Sequence, residues 1–169
     1  MNPSATEIVA QPQRRVAKEL LKSNGFLMAR LGLNFKLRTL ELFEREGFEL
    51  YDYSVLALLA EGSLQTQAGI AGSLNVDPSR LVALLDSLEQ RRLVARQRDP
   101  QDRRRHVVSI TPDGKRELGR LRELTKRLEN EFFAPLEPDE RLALRALLQR
   151  LACHNDAGCA GAMSPPPPS

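Results

Sequence analysis

The chain has few aromatic residues and few cysteines. Its 169 residues include no tryptophan, two tyrosines and two cysteines. Proteins that hold single-stranded nucleic acid stack its bases on aromatic side chains, so the composition argues against that class of site. Two cysteines are too few for a disulfide framework. We find no run of about 18 apolar residues and no apolar signal segment at the N-terminus, so we expect a soluble cytoplasmic protein without a membrane partner.

Motifs for catalysis and for metal binding are also missing from the sequence. It contains no recognisable nucleophile–base pair, glycine-rich phosphate loop or His/Glu metal motif. Cys153, His154 and Cys159 lie close together, but a zinc site needs four ligands and no fourth candidate is evident. The sequence therefore predicts a protein that is not an enzyme and that has no metal or other cofactor.

Positive charge is concentrated in one segment. The formal net charge is only +3, whereas residues 91–105 hold seven arginines and two acidic residues. A local concentration of this kind is typical of a nucleic-acid-binding surface. The planar guanidinium of arginine suits paired contacts to phosphates, or insertion into a narrow groove.

This arginine-rich segment has the pattern of a β-hairpin. Two β-like runs, residues 93–98 and 106–110, flank a turn that contains Asp99 and Pro100. Proline presets its own φ, and aspartate can bond the backbone that follows it, so residues 99–102 are predicted to be the tip. A solvated surface hairpin has the same pattern. The residues that precede the hairpin decide between the two interpretations.

Apolar periodicity and capping residues predict helices on both sides of the hairpin. Asp52, Asp77 and Thr111 are predicted N-caps, and Pro78 and Pro112 stand at the first helical positions. The predicted helical segments are residues 14–23, 26–46, 53–60, 66–74, 78–91, 112–133 and 139–153. Two apolar stripes are expected to be buried: Leu81, Leu84, Leu85 and Leu88, and Leu118, Leu121, Thr125, Leu128 and Phe132. We expect an α+β, mainly α, winged helix-turn-helix with long terminal helices.

The segments 66–74 and 78–91 form the predicted helix-turn-helix. Such a motif places the N-terminal residues of its second helix at base edges in the major groove. These residues are Ser79 and Arg80, and the arginine can pair with O6 and N7 of guanine. Two short helices alone are often only a packing unit. With the adjacent hairpin, they favour a reader of neighbouring major and minor grooves.

Three stretches of the sequence resemble the MarR family of transcriptional regulators. They run from Val76 to Val94, from Asp99 to Arg104 and from Ile110 to Gly114, within a similarity that extends over about Leu50 to Leu151. The resemblance implies a homodimer, joined through its terminal helices, that binds double-stranded DNA at a near-palindromic operator. It also implies repression that is relieved by a small, often aromatic or phenolic, ligand bound between the dimer helices and the DNA-binding lobe.

The resemblance also divides the chain into parts. Residues 13–50 and 112–153 are expected to form the dimerisation helices, and residues 51–111 the DNA-binding lobe. Residues 1–12 and 154–169 have the composition of disordered termini, and the second of these ends in a proline-rich run.

The hairpin of residues 93–110 corresponds to the wing of the family, and the resemblance assigns roles to individual residues in it. Arg103 is expected to enter the minor groove, and Asp99 or Asp102 to pair with Arg104 as a brace. Arg96, Arg98 and Arg105 are expected to contact phosphates. The full predicted DNA-binding set is Thr66, Gln67, Ser79, Arg80, Ala83, Ser87, Arg96, Arg98, Arg103 and Arg105.

Two departures from the family pattern concern the second helix of the motif. Val82, Ala83 and Ser87 stand where relatives often carry polar or basic side chains, so Arg80 and DNA shape at the wing should carry more of the specificity. Arg92 occupies a position that is commonly glycine.

A candidate effector site lies on the first long helix. Arg30, Asn34 and Arg38 are spaced by four residues and share one helix face. They would present a cationic wall to an anionic aromatic effector, with Tyr51 and Tyr53 lining the same pocket. The alternatives are a solvated helix face and tyrosines packed in the core.

Two other classes of function fit a winged helix. One is a protein-interaction module, which has no need for so many arginines in its wing. The other is a nucleoid-type DNA binder that recognises no operator.

Overall fold

The computed structural model describes residues 15–62, 65–98, 106–156 and 158–159. The chain divides into two compact units, Met1–Leu37 and Arg38–Ser169. The first contains the 3-10 helix Leu20–Lys22 and the start of α1, Asn24–Arg45, whose remainder belongs to the second unit. The helix predicted over residues 14–23 is wrong for residues 15–19. Ser23 has extended backbone angles and its hydroxyl accepts the N–H of Phe26, so it separates the short turn from α1.

The second unit holds the elements of a winged helix-turn-helix. In chain order they are α2 (Leu50–Ala60), β1 (Gln65–Thr66), α3 (Gln67–Leu74), α4 (Pro78–Gln90), β2 (Val94–Arg98), β3 (His106–Ile110), α5 (Pro112–Phe132) and α6 (Pro138–Asn155). This confirms the predicted fold class.

Capping side chains determine where several helices begin. Asp77 accepts the N–H of Ser79 at 2.8 Å and caps α4, as the sequence predicted. The prediction that Asp52 caps α2 is wrong. Glu49 is the N-cap, and Asp52 is the third residue of a capping box, in which its carboxylate accepts the N–H of Glu49 at 2.8 Å. The helix therefore starts at Leu50, three residues earlier than expected.

The sheet is antiparallel, with the strand order β1-β3-β2. Arg96 in β2 lies opposite Val108 in β3, and Arg98 lies opposite His106 near the tip of the hairpin. The strand β1 was not predicted. It has only two residues, and pairing with β3 defines it.

The core of the second unit lies between α2, α4, α5 and the sheet. Both predicted apolar stripes face it, although Thr125 and Phe132 are only half-buried. Among the largest fully buried side chains are Phe43, Leu56, Ile70, Leu81, Leu85, Leu88, Leu118 and Leu121. In the part of the chain that the structure describes, no helix has the length and apolar character needed to cross a membrane.

The last helix, α6, buries none of its residues in the single chain. Four of its leucines are between 43% and 65% exposed: Leu142, Leu147, Leu148 and Leu151. Exposed leucines of this number on one helix are a feature of surfaces that pack against another molecule.

Candidate nucleic-acid interface

The helix-turn-helix is formed by a tight turn between α3 and α4. Asn75 ends α3 in the left-handed conformation, with φ of 48°, and its N–H bonds back to the carbonyls of Ala71 and Gly72. Asparagine tolerates this conformation better than most residues. Asp77 then caps α4, so only Asn75, Val76 and Asp77 separate the two helices. Ser79 donates hydrogen bonds from its side chain and its backbone to the Asp77 carboxyl, and these bonds hold the pKa of that carboxyl below its ordinary value.

The predicted reading face of α4 is exposed. Ser79, Arg80, Ala83 and Ser87 are all exposed, whereas the leucine stripe of the same helix is buried. At the start of α3, the hydroxyl of Thr66 accepts the N–H of Gly69 at 3.0 Å and caps the helix. The structure thus presents a continuous outward face on α4, and it assigns a capping function to Thr66.

Arg80 does not extend freely into solvent. Its guanidinium carbon lies 4.7 Å from the centre of the Tyr51 ring, and its Nη2 lies 3.6 Å from Oε2 of Glu49. The predicted base-reading arginine therefore contacts a tyrosine that the sequence had assigned to the effector pocket. Spacing along the chain gives no signal for this contact, because 29 positions separate the two residues.

A second arginine holds the other end of α4. The guanidinium carbon of Arg91 lies 3.7 Å from the centre of the Phe48 ring, and its Nη1 donates to the carbonyl of Gly47 at 3.0 Å. Arg80 and Arg91 therefore connect the two ends of α4 to the α1–α2 junction and to the first turn of α2. Each cation–π contact contributes about 0.5–1 kcal/mol at an exposed site.

Arg96 has structural partners that sequence reasoning missed. Its side chain is 19% exposed, and its Nη1 lies 2.5 Å from Oδ1 of Asp86 and 3.3 Å from Oε2 of Glu89. Its Nη2 donates to the carbonyl of Val82 at 3.2 Å. A phosphate contact was predicted for this arginine, but in the structure its guanidinium contacts three residues of α4.

A small cavity of about 200 Å³ lies beside α4 and is lined by Glu49, Asp52, Arg80, Ala83, Leu84 and Ser87. Asp52 is 4% exposed, and its Oδ1 has no hydrogen-bond partner. Burial raises the pKa of this carboxyl, and the N–H of Glu49 opposes that shift. The burial of Asp52 is thus unfavourable for its charge, and its hydrogen bond with the N–H of the N-cap residue Glu49 offsets part of that cost.

The tip of the wing lies outside the described residues. Asp99, Asp102, Arg103, Arg104 and Arg105 all belong to it, so the minor-groove arginine and the aspartate brace stay predictions. Arg98, the last residue of β2, is described and exposed. The strand therefore leads directly into the arginine-rich segment.

The predicted effector residues have separate partners. In the second unit, Arg38 lies 3.3 Å from Glu131, and its guanidinium carbon lies 5.9 Å from the centre of the Phe132 ring. Tyr53 stacks on Phe43 with a centroid separation of 5.3 Å. Core packing therefore accounts for this tyrosine. In the first unit, Arg30 and Asn34 are exposed on α1.

Arg38 also lines a groove of about 280 Å³ between α1 and α5. Three arginines and two glutamates are among its lining residues: Arg38, Arg45, Arg127, Glu41 and Glu131. Cys153 lies in the last turn of α6 and Cys159 lies beyond the helix; no disulfide joins them, and the described residues contain no group of three potential metal ligands.

Comparison with known proteins identifies the family. The sequence model of the MarR family matches residues 49–106. A Thauera aromatica protein assigned as a transcriptional regulatory protein for the hcr operon is 34% identical over 99 residues, 59% of this chain. The matched segment spans 60% of that relative. The Bacillus subtilis HTH-type transcriptional repressor MdtR is 31% identical over 114 residues, which cover 67% of this chain and 73% of MdtR.

Comparison with solved structures also finds transcriptional regulators. The transcriptional repressor CouR, bound to a 23-mer DNA duplex, is 32% identical with a TM-score of 0.69, over 80% of this chain and 96% of CouR. CouR from Rhodococcus jostii RHA1, bound to p-coumaroyl-CoA, is 30% identical with a TM-score of 0.65 over the same shares. The chain belongs to the MarR family of winged helix-turn-helix transcriptional regulators.

Proposed function

We propose that this protein is a homodimeric transcriptional repressor that binds a near-palindromic operator in double-stranded DNA and leaves it when a small ligand binds. The observation that carries the proposal is the exposed face of α4 beside a wing strand that leads into the arginine-rich tip.

Each half-site of the operator would be contacted by two elements of one protomer, α4 and the wing. The N-terminal part of α4 enters the major groove, where Arg80 can pair with guanine. The wing follows the backbone and places Arg103 in the adjacent minor groove. The similarity to CouR, whose structure contains a DNA duplex, supports this arrangement.

The dimer would form through the terminal helices. The exposed leucines of α6 supply an apolar surface of the kind that such an interface needs. Two recognition helices related by a twofold axis contact half-sites about 34–36 Å apart, one turn of the duplex.

The ligand would be a small aromatic or phenolic molecule with an anionic group. The groove between α1 and α5 supports this class, since Arg38, Arg45 and Arg127 are among its lining residues. Guanidinium groups bind carboxylates and phosphates well. The structure of CouR with p-coumaroyl-CoA supports a response to a ligand in a related chain.

Selection from a library of randomised DNA duplexes, followed by footprinting, tests the proposal. The full-length protein should enrich one sequence and protect two half-sites about one helical turn apart. Arg103→Ala should abolish most of this binding and leave the dimer intact. Arg122→Ala, which removes an exposed arginine of α5, should bind like the wild type.

Other outcomes favour the rival functions. DNA binding without enrichment or protected half-sites indicates a nucleoid-type binder. Absence of DNA binding, with an intact dimer, indicates a protein-interaction module. Compounds related to the products of genes next to the enriched sites then serve as probes for ligand-induced release.

A further inference from the structure

We propose that Arg96 is a positioning residue that holds the wing at a fixed place on the recognition helix and so determines which operators the protein selects. This inference rests on the proposed function, since it concerns how the protein distinguishes one duplex from another. It replaces the phosphate contact that the sequence suggested for this arginine.

The side chain of Arg96 crosses from the sheet to the helix. Arg96 is the middle residue of β2. Its guanidinium lies 2.5 Å from Asp86 and 3.3 Å from Glu89, and it donates to the carbonyl of Val82 at 3.2 Å. These three partners are four and three residues apart, so they follow one face of α4 over about two turns. A guanidinium with contacts spread along the helix resists sliding and rotation of the strand.

The backbone of the same residue reinforces this attachment. The N–H of Arg96 donates to Oε1 of Glu89 at 3.1 Å, while Oε2 of Glu89 receives the guanidinium. One carboxylate therefore holds both the main chain and the side chain of Arg96. This geometry fixes the position of β2 along α4 as well as the orientation of the arginine.

The position of the wing matters because the two DNA-contacting elements must fit one duplex together. Arg98 ends β2 only two residues beyond Arg96, and the arginine-rich tip follows immediately. A small shift of β2 on α4 therefore displaces Arg98 relative to Arg80. Sites that contact a ligand at several points need such supporting interactions to hold their geometry.

The charge of Arg96 is matched by acidic residues of α4. Asp86 and Glu89 are carboxylates on the recognition helix, with side chains 49% and 42% exposed. Paired with Arg96, they are partly neutralised.

Arg98 is the matched control within the same strand. Its side chain is exposed, and among the described residues it has no ion-pair partner. Lysine can replace arginine at a phosphate as a point charge, but one ammonium cannot reproduce three contacts that diverge from a planar fork. Conservative substitution therefore distinguishes the two roles.

The test compares binding to two probes: the duplex that the wild type enriches from a randomised library, and a duplex of unrelated sequence. Arg98→Lys should keep the ratio of the two affinities. Arg96→Lys should lower that ratio by about tenfold, the scale of energetic coupling between contacting groups. Arg98→Ala should reduce the slope of log affinity against log salt by about 1.8 per dimer, and Arg96→Ala should leave it near the wild-type value.

A double-mutant cycle adds a result that a phosphate contact cannot produce. The variant Asp86→Asn with Glu89→Gln should lose discrimination like Arg96→Ala, and combining all three changes should cost little more. If Arg96 binds phosphate instead, removing the two acids leaves discrimination unchanged. Unchanged discrimination in Arg96→Lys, or a reduced salt slope in Arg96→Ala, overturns the proposal.

Two controls separate other failures. If the wild-type protein enriches no duplex, the proposed function is contradicted. If it enriches a duplex and the Arg96 variants discriminate as well as the wild type, only this inference is contradicted. Unfolding curves and the oligomeric state of each variant are measured alongside. If Arg96→Ala does not fold, Arg96→Lys and the Asp86/Glu89 variant still decide the outcome.

Discussion

Gly114 lies so close to Leu93 that a Cβ atom at this glycine would stand 2.0 Å from the Leu93 carbonyl oxygen. The same carbonyl accepts the N–H of Thr111 at 3.1 Å, and the hydroxyl of Thr111 caps α5 by accepting the N–H of Gly114. The first turn of α5 is therefore joined to the residue that precedes the wing.

We expect Gly114→Ala to destabilise the fold by about 3 kcal/mol, the upper range for overpacking, because the contacted atom belongs to the backbone and cannot rotate away. Urea unfolding measures the change. Gly119→Ala in the same helix is the control. Nothing lies within 4 Å of its new methyl group, and the change should stabilise the protein by about 1 kcal/mol. Equal effects at both positions would contradict the close approach.

Arg92 offers a test of backbone strain. It has a φ of 60°, in the left-handed region, at the end of α4. Arg92→Gly and Arg92→Ala both delete the side chain, but only glycine removes the cost of this conformation, roughly 1 kcal/mol. The glycine variant should therefore have the higher free energy of unfolding by about that amount. An alanine variant that is equally stable would show that the residue is not strained.

The sequence predicted those parts of the fold that local rules determine. The caps at Asp77 and Thr111, the leucine stripe of α4 and the two wing strands are all confirmed. What it missed depends on distant partners. The strand β1 exists through its pairing with Val107 and Val108, some forty residues away.

The candidate site shows the same division. Exposure of the α4 face follows from helical periodicity, and the sequence predicted it. The contacts of Arg80 with Tyr51, and of Arg96 with Asp86, depend on how elements pack. Periodicity gives no signal for such pairs, so an arginine pattern alone assigned Arg96 to DNA.

Asp52 gives a prediction for pH dependence. Burial raises its pKa in the folded state above the value in the unfolded chain, about 3.9. The folded state then binds the proton more tightly, so the free energy of unfolding falls as pH rises through the interval between the two values. Asp52→Asn lacks this titration. Its stability relative to the wild type should rise across that interval in pH-dependent unfolding curves, whereas a constant difference would contradict the raised pKa.

Arg80 should affect recognition more than stability. Its side chain is 56% exposed, so Arg80→Ala should cost under about 1 kcal/mol of folding free energy. At an operator position occupied by guanine, the variant should lose about 1–3 kcal/mol of discrimination. Binding to operators altered one base pair at a time measures this loss. Tyr51→Leu is the control for the stacking contact, and unaltered base preference in Arg80→Ala would exclude a reading role.

The salt dependence of wild-type binding to its enriched operator tests the central claim most directly. If the wings and recognition helices of a dimer contact about 6–10 phosphates, affinity should fall about 10³–10⁵-fold between 50 and 200 mM salt. An affinity that stays constant over this range would contradict the account of this protein as a DNA-binding repressor.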